Sequence, residues 1–244
     1  MINENNKMVD LVHKNHVLIS VFSRFGISLG FGDKTIREIC QEKKIDLQFF
    51  LEIVNSFLDH DYFPREQLKS FPIRLIVDYL TKTHHEYLTK TIPEIESVIS
   101  GREGICYKDK EHNFLMNTFF QEYKDELITH IKREDEQVFP YALEVEQCYL
   151  QKKSAESLPD KFRDYTISRY LQEHDDVEEK LFDLKNIIIK YLPPPKNPRL
   201  CYRVIVLLFN LEKDMNDHSR IEEKVFVPKV AMMEKVIRRK NSRQ

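Results

Sequence analysis

The chain is poor in the residues and patterns that interrupt helices. Only 5 of its 244 residues are glycine, and the alternation of apolar and polar residues that marks β-strands is nearly absent. Leucine, isoleucine, glutamate and lysine are abundant, and these residues favour helices. A chain of this length can bury a hydrophobic core without cross-links. We therefore expect a mostly helical protein.

The chain also lacks long apolar segments, a large net charge and paired cysteines, and this narrows its predicted cellular compartment and binding partners. No stretch approaches ~18 consecutive apolar residues, and the first ten residues lack the apolar segment of a signal peptide. The net charge is −2, so there is no broad basic surface of the kind that binds nucleic acid. The cysteines form no C-x-x-C pair and match no common zinc or disulfide framework; they are Cys40, Cys106, Cys148 and Cys201. We expect a cytoplasmic protein with reduced thiols that binds neither membranes nor nucleic acid.

The hydrophobic pattern divides the chain into two parts. Residues 1–64 contain short amphipathic segments broken at Gly26, Gly30 and Gly32, and they predict a small helical N-terminal module. Residues 65–244 predict four long helices, A to D, at about residues 72–99, 110–149, 159–191 and 200–236. Pro93 and Pro140 predict local breaks in helices A and B. Modest connections between long amphipathic helices favour an antiparallel four-helix bundle, an all-α fold.

One local pattern occurs twice. His130-x-x-x-Glu134 is followed by Pro140, and His218-x-x-x-Glu222 is followed by Pro228. Positions i and i+4 lie on one face of a helix, so each copy directs an imidazole and a carboxylate to one point. A single pair of this kind is commonly an ordinary helical side-chain pair. Two copies with the same proline spacing indicate two halves of one metal site.

Helices A and C contribute further histidines. Helix A carries His84 and His85, and helix C carries His174. From His85 to His218, the four histidines of the set are 45, 44 and 44 residues apart, so alternating helices can return them to one level. The predicted ligands are His85, His130, Glu134, His174, His218 and Glu222. Four imidazoles and two bridging carboxylates suit two ions of iron, manganese or zinc. The order His-x-x-x-Glu disfavours a ferritin-like site, and the H-E-x-x-H motif of zinc proteases is absent.

These motifs carry a family resemblance. Residues 71–228 resemble the haemerythrin-like, or HHE cation-binding, domain, and most resemble the di-iron proteins that repair damaged iron–sulphur clusters. In that family the first ligand precedes the proline of helix A by eight residues, which selects His85 over His84. The resemblance implies an oxo- or hydroxo-bridged pair of iron ions, with zinc or manganese as possible substitutes.

The resemblance extends to the N-terminal module, at residues 21–27 and 35–40. The repair proteins have two adjacent cysteines between these segments, whereas residues 28–33 of this chain contain none. Glu126 and Glu173 match positions that line access to the di-iron site in the family. Their implied role is proton relay or support of the ligands; the alternative is that both are solvated helix charges.

The resemblance implies a function in handling nitric oxide or reactive oxygen species, in donating iron to damaged iron–sulphur clusters, or in both. The implied partners are a diatomic ligand such as nitric oxide or oxygen, and iron–sulphur proteins. Two alternatives stay open: a non-catalytic sensor of oxygen or nitric oxide that signals to a partner, and a protein for iron storage or delivery. The sequence leaves open whether the protein is an enzyme and whether it is a dimer.

Overall fold

The protein is all-α, as the sequence predicts. The computed structural model describes residues 1–59, 61–100, 105–172 and 177–239. Within these ranges the only β interaction is an isolated bridge between Lys7 and Thr35. The helices of the N-terminal region are α1 (Met8–Lys14), α2 (Leu18–Arg24), α3 (Ile36–Lys43), α4 (Leu47–Leu58) and α5 (Arg65–Ser70).

Helices A, B and D each contain two α-helical segments, and two α-helical segments of helix C fall within the described residues. Helix A contains α6 (Ile73–Glu86) and α7 (Ile92–Ile99), and helix B contains α8 (Lys110–Arg133) and α9 (Phe139–Leu150). Helix C contains α10 (Ile167–Gln172) and α11 (Val177–Asn186), and helix D contains α12 (Pro198–Ile221) and α13 (Val227–Arg239). Short 3₁₀ turns form at Ala155–Ser157 and Asp160–Phe162.

The contacts between segments show that neighbouring helices run in opposite directions. The end of helix A, α7, packs on the start of helix B, α8, while α6 packs on α9. In the same way α8 packs on α11, α11 on α12, and α12 on α7. The four helices therefore close an antiparallel ring in the order A, B, C, D. None of the described helices combines the length and the apolar character needed to cross a membrane.

Helices A, B and D are interrupted by π-helical turns at equivalent places, Tyr87–Thr91, Glu134–Val138 and Glu222–Phe226. In each case a proline follows the first residue of the turn by six positions. Proline lacks an N–H group, and inside an α-helix its ring collides with the carbonyl four residues earlier. The wider π turn avoids this collision: in helix B, for example, the N–H of Phe139 donates to the carbonyl of Glu134. The predicted breaks at Pro93 and Pro140 thus take the form of single π turns.

Helix C begins later than predicted, at Ile167 instead of residue 159. Its start is fixed by helix D, because the Ile167 N–H donates to Glu234 Oε2 at 3.0 Å. Arg238 also donates to the carbonyl of Tyr165 at 2.6 Å. The preceding segment forms only the 3₁₀ turn at Asp160–Phe162. A local sequence pattern cannot predict a helix start that depends on side chains of another helix.

Two hydrophobic clusters fill the protein. The first packs the N-terminal helices together with α6, α9, α10 and α13, and the second fills the space between α7, α8, α11 and α12. The boundary between them falls at the π turns, near the middle of the bundle. The first cluster contains residues from both predicted parts, and the division of the chain into residues 1–64 and 65–244 stays a prediction.

Candidate metal centre

A cluster of potential metal ligands lies at the boundary between the two hydrophobic clusters. His84, Glu134, His218 and Glu222 are buried, and one ligand atom from each lies within 4.8 Å of all the others. They come from helices A, B and D. His130 joins the cluster through its Nε2, which is 3.2 Å from Glu134 Oε1. The structure thus brings together both halves of the repeated His-x-x-x-Glu pattern.

Nε2 of His84 lies at the middle of the cluster. It is 3.2 Å from Glu134 Oε2 and 3.1 Å from Nε2 of His218. His218 Nε2 in turn lies 3.1 Å from Glu222 Oε1. Side chains of three helices therefore converge within hydrogen-bonding distance of one another.

The π turns account for the placement of the carboxylates. Glu134 and Glu222 are the first residues of their π turns. His130 and His218 lie one helical turn earlier, at the ends of regular α-helical segments. Each ligand pair is thus built from the last α-helical turn and the first residue of the widened turn. Such interruptions are frequent at functional sites.

The structure brings His84, and not His85, to the cluster. His84 is buried together with Thr83 and Tyr87 on the face of helix A that meets the bundle core, whereas His85 is exposed. Adjacent residues on a helix point about 100° apart, so only one of the two histidines can face the core. His84 therefore lies in the cluster where the spacing to Pro93 predicts His85, and the assignment of His85 as a ligand stays a prediction.

The donor set fits a metal ion. Nε2 of His84 carries at most one proton, yet it meets two potential acceptors, Glu134 Oε2 and His218 Nε2. Within the described ranges, the buried Nδ1 of His218 has no hydrogen-bond partner. Ligand atoms on one ion with bonds of about 2.1 Å lie about 3 Å apart, close to the separations seen here. A metal ion could bond to groups that a single proton cannot satisfy.

The two central histidines have opposite pKa shifts. Burial lowers the pKa of His84, but hydrogen bonds to Asp135 and Glu134 outweigh this effect and raise it to about 10. Burial, followed by the positive charge on His84, lowers the pKa of His218 to about 3. Imidazole binds a metal only in its neutral form. His218 is therefore ready to bind, whereas His84 must first release its proton.

Glu134 is held as a carboxylate by its neighbours. Burial raises its pKa, but hydrogen bonds from His130 and His84 lower it well below the ordinary value. The hydroxyl of Tyr170, on helix C, donates to Glu134 Oε1. Tyr170 is not among the site residues predicted from the sequence. It lies four residues before His174, and this i, i+4 spacing could have identified it.

Other neighbours orient the histidines and cover the cluster. His84 Nδ1 donates to Asp135 Oδ1 at 2.8 Å, and the His84 ring stacks on Phe139 with 5.4 Å between ring centres. The Tyr87 ring meets His218 edge to face at 6.0 Å. A carboxylate partner on the distal nitrogen of a ligating histidine is the usual means of fixing its orientation. The aromatic rings exclude water from the same atoms.

The remaining predicted site residues fall at the edge of the site or outside the described residues. Glu126 lies one turn before His130, is partly exposed, and pairs with Lys180 of α11. His174 and Glu173 lie outside the described residues.

The fold and the site define a helical cation-binding domain, and comparison with known families agrees. Residues 77–230 match the Hemerythrin HHE cation binding domain. This match covers more than half of the chain, so the protein belongs to that family, as the sequence motifs predict.

Curated relatives match over nearly the whole chain. The Iron-sulfur cluster repair protein ScdA of Staphylococcus haemolyticus is 20% identical over 232 residues, which are 94% of this chain and 99% of the relative. The protein of the same name from Staphylococcus epidermidis is 19% identical over 233 residues, 95% of this chain and 100% of the relative. The resemblance to cluster repair proteins is confirmed at this low level of identity.

Proposed function

We propose that this protein is a non-haem di-iron protein that handles nitric oxide or reactive oxygen species and supplies iron for the repair of damaged iron–sulphur clusters. The observation that carries the proposal is the buried convergence of imidazoles and carboxylates at the π turns of three helices. The family match and the names of the relatives support it.

The proposed ligands follow from the geometry and the sequence pattern together. Glu134 and Glu222 are the carboxylates suited to bridging two ions. The nitrogen donors are His84, His130 and His218, with His174 of helix C as the predicted fourth. When bound, the iron pair supplies one-electron redox chemistry and binding positions for a small diatomic molecule.

The surrounding residues have defined tasks in this proposal. Tyr170 donates to Glu134 Oε1 and keeps that carboxylate turned towards the cluster. Asp135 accepts from His84 Nδ1, so that Nε2 points into the cluster. Glu126 lies at the rim with Lys180, where it can pass protons between solvent and the buried groups.

Metal analysis of the purified chain tests the centre. We expect about two iron ions per chain and loss of most of this iron in the His130→Ala/His218→Ala double variant. The matched control is His13→Ala/His16→Ala, which removes two exposed histidines and should leave the iron content unchanged. Equal iron in both double variants would show that the ligands are misassigned.

Two assays test whether the metal centre reacts with nitric oxide and whether it supports the repair of iron–sulphur clusters. The reduced protein should consume nitric oxide with an electron donor, and the iron-loaded protein should restore activity to an enzyme whose iron–sulphur cluster has been damaged by peroxide. The iron-depleted double variant should do neither. Tight binding of nitric oxide without turnover or repair would point to a sensor. Transfer of iron to an apo cluster protein, without reaction with nitric oxide, would point to iron delivery.

The sensor is the second candidate because a buried side chain of the N-terminal region reaches the surroundings of the ligands. Arg24 of α2 donates to Glu86 at 3.0 Å and also to Asp214 of helix D. Its guanidinium lies 5.9 Å from the ring centre of Tyr87, which contacts His218. In a sensor, binding of nitric oxide would change the protease sensitivity of residues 1–64. In an enzyme that uses a fixed scaffold, it would not.

A further inference from the structure

A second group of reactive side chains lies far from the metal centre. Cys106 and Tyr107 precede α8, and Cys201 lies in the first turns of α12. The N–H of Asn197, the N-terminal cap of α12, donates to the carbonyl of Cys106 at 3.1 Å, so the backbone holds the two cysteine segments together. Cys201 precedes His218 by 17 residues of the same helix, or about 25 Å along the helix axis.

The two cysteines belong to the same hydrophobic cluster of the bundle. Both thiols are buried and free, and the electrostatic interaction between them indicates that the side chains lie near each other. The Cys201 thiol also donates to the hydroxyl of Tyr107 at 3.3 Å. Cys106, Tyr107 and Cys201 have no role in the proposed metal centre.

A cavity of about 390 Å³ opens beside Cys201. Tyr107 and Cys201 line it together with an apolar wall that includes Leu192, Pro194 and Ile205. Cys106 does not line it. A small molecule in the cavity would therefore lie against Cys201 and not against Cys106.

We propose that Cys106 and Cys201 form a redox-active thiol pair that hydrogen peroxide or a small hydroperoxide oxidises to a disulfide. Cys201 reacts with the peroxide in the cavity, and Cys106 resolves the product. The disulfide would join the segment before helix B to the start of helix D. This activity is separate from the proposed function of the metal centre and does not require bound iron.

The Cys201 thiolate attacks one oxygen of hydrogen peroxide, the O–O bond breaks, and the departing hydroxide takes up a proton and becomes water. Cys201 is then a sulfenic acid. The sulphur of Cys106 attacks Cys201 Sγ, the S–O bond breaks, and a second water leaves with the proton of the Cys106 thiol. Two electrons pass from the sulphurs to the peroxide, and two thiols become one disulfide.

The electrostatics support this division of roles. The hydrogen bond from Cys106, opposed by burial and assisted by Tyr107, lowers the pKa of Cys201 to about 7. The same contact and burial raise the pKa of Cys106. In contrast, burial raises the pKa of Cys40 to about 11. Only the thiolate is nucleophilic, so Cys201 is the thiol suited to attack at neutral pH.

The test treats the full-length protein with hydrogen peroxide and maps the cysteines by peptide mass analysis. We expect a cross-linked peptide pair containing Cys106 and Cys201, reversed by dithiothreitol. Cys106→Ser should leave a sulfenic acid on Cys201 that dimedone traps. Cys201→Ser should slow the oxidation of Cys106 by about tenfold or more, because the reactive thiolate is gone. If either serine variant is misfolded by circular dichroism, the alanine variant at the same position replaces it.

Two controls separate this pair from general oxidation and from the metal centre. Cys40→Ser and Cys148→Ser remove other buried thiols and should not change the rate of disulfide formation. The His130→Ala/His218→Ala variant should form the disulfide as the wild type does. The proposal is overturned if Cys106 and Cys201 stay reduced under peroxide, or if Cys40 and Cys148 oxidise as fast as they do. If the His130→Ala/His218→Ala variant fails to form the disulfide, the claim that the thiol pair works without iron is overturned.

Discussion

At the scale of single residues, two adjacent histidines point in different directions. The spacing to Pro93 selects His85, whereas burial and hydrogen bonding select His84, which contacts Glu134, Asp135 and His218. A one-residue difference on a helix changes the direction of a side chain by about 100°. An experiment that shows which of the two histidines binds the metal therefore tests the proposed geometry of the site.

Alanine substitutions at these two positions form a matched pair. His84→Ala removes a buried nitrogen donor, and we expect the variant to lose at least half of the bound iron. His85→Ala removes an exposed side chain and should retain the wild-type iron content. Iron per chain, measured on both variants purified in parallel, decides the assignment. The reverse result would place His85 among the ligands and restore the choice made from the proline spacing.

Tyr170 provides a second prediction at this scale. Tyr170→Phe removes the hydroxyl that donates to Glu134 Oε1 and keeps the aromatic ring. Loss of a group that orients a ligand typically weakens metal binding by about 10–100-fold. Competition with a chelator should show this loss, while Tyr202→Phe, at an exposed tyrosine, should bind as tightly as the wild type. Equal affinity in both variants would exclude an orienting role for the Tyr170 hydroxyl.

The thiols allow a prediction about pH. The pKa of Cys201 is lowered to about 7, so its thiolate forms as the pH rises through 7. Alkylation of Cys201 by iodoacetamide should increase over pH 6–8 and level off above it. Cys40, whose pKa is raised to about 11, should remain slow throughout this range. The alkylation rates of Cys201 and Cys40 are measured by mass spectrometry in one sample at each pH. The same pH dependence for both cysteines would contradict the prediction.

The sequence predicts some site residues better than others, for physical reasons. Glu134 and Glu222 lie four residues after a histidine, and this regular spacing suffices to place each pair on one face. The choice between His84 and His85 depends on the rotation of helix A against its neighbours, which no local spacing contains. The same i, i+4 spacing, counted back from the predicted ligand His174, could have identified Tyr170.

At the scale of helices, the π turns are the feature that the sequence indicates only indirectly. Pro140 predicts a break in helix B, but hydrophobic periodicity does not distinguish a kink from a π turn. The observed turn adds one residue to the helical path and leaves the helix continuous on both sides. Glu134 is its first residue, so the same interruption accommodates the proline and places the Glu134 carboxylate in the buried cluster.

Deletion of Gln137 tests this role of the π turn. Gln137 is exposed within the turn, and its removal leaves the number of residues that a regular α-helix requires. The helix would then rotate Glu134 by about 100° relative to the buried face of α9, and we expect loss of most bound iron. Gln137→Ala keeps the chain length and should retain iron and stability within about 0.5 kcal/mol. Full iron content in the deletion variant would show that the extra residue is dispensable.

At the scale of the whole molecule, Arg24 connects the N-terminal region to the bundle. Its buried guanidinium is shared between Glu86 of helix A and Asp214 of helix D. Both carboxylates would lose their common partner in Arg24→Ala. Removal of one member of a buried ion pair typically costs about 3–5 kcal/mol.

Urea unfolding should show a loss of this size for Arg24→Ala. The control is Arg37→Ala, which breaks the more exposed pair between Arg37 and Glu4 and should cost no more than about 1 kcal/mol. Similar losses in the two variants would mean that the Arg24 contacts contribute no more than a surface pair.

The shared guanidinium has a consequence for the energetics of the two regions. Arg24 contacts Tyr87, and Tyr87 contacts His218, so we expect the packing of α2 and the state of His218 to be linked. Thermodynamic linkage is reciprocal: if occupation of the centre strengthens the attachment of the N-terminal helices by a given factor, their attachment tightens metal binding by that same factor. The N-terminal region would then act on the centre as an effector built into the same chain.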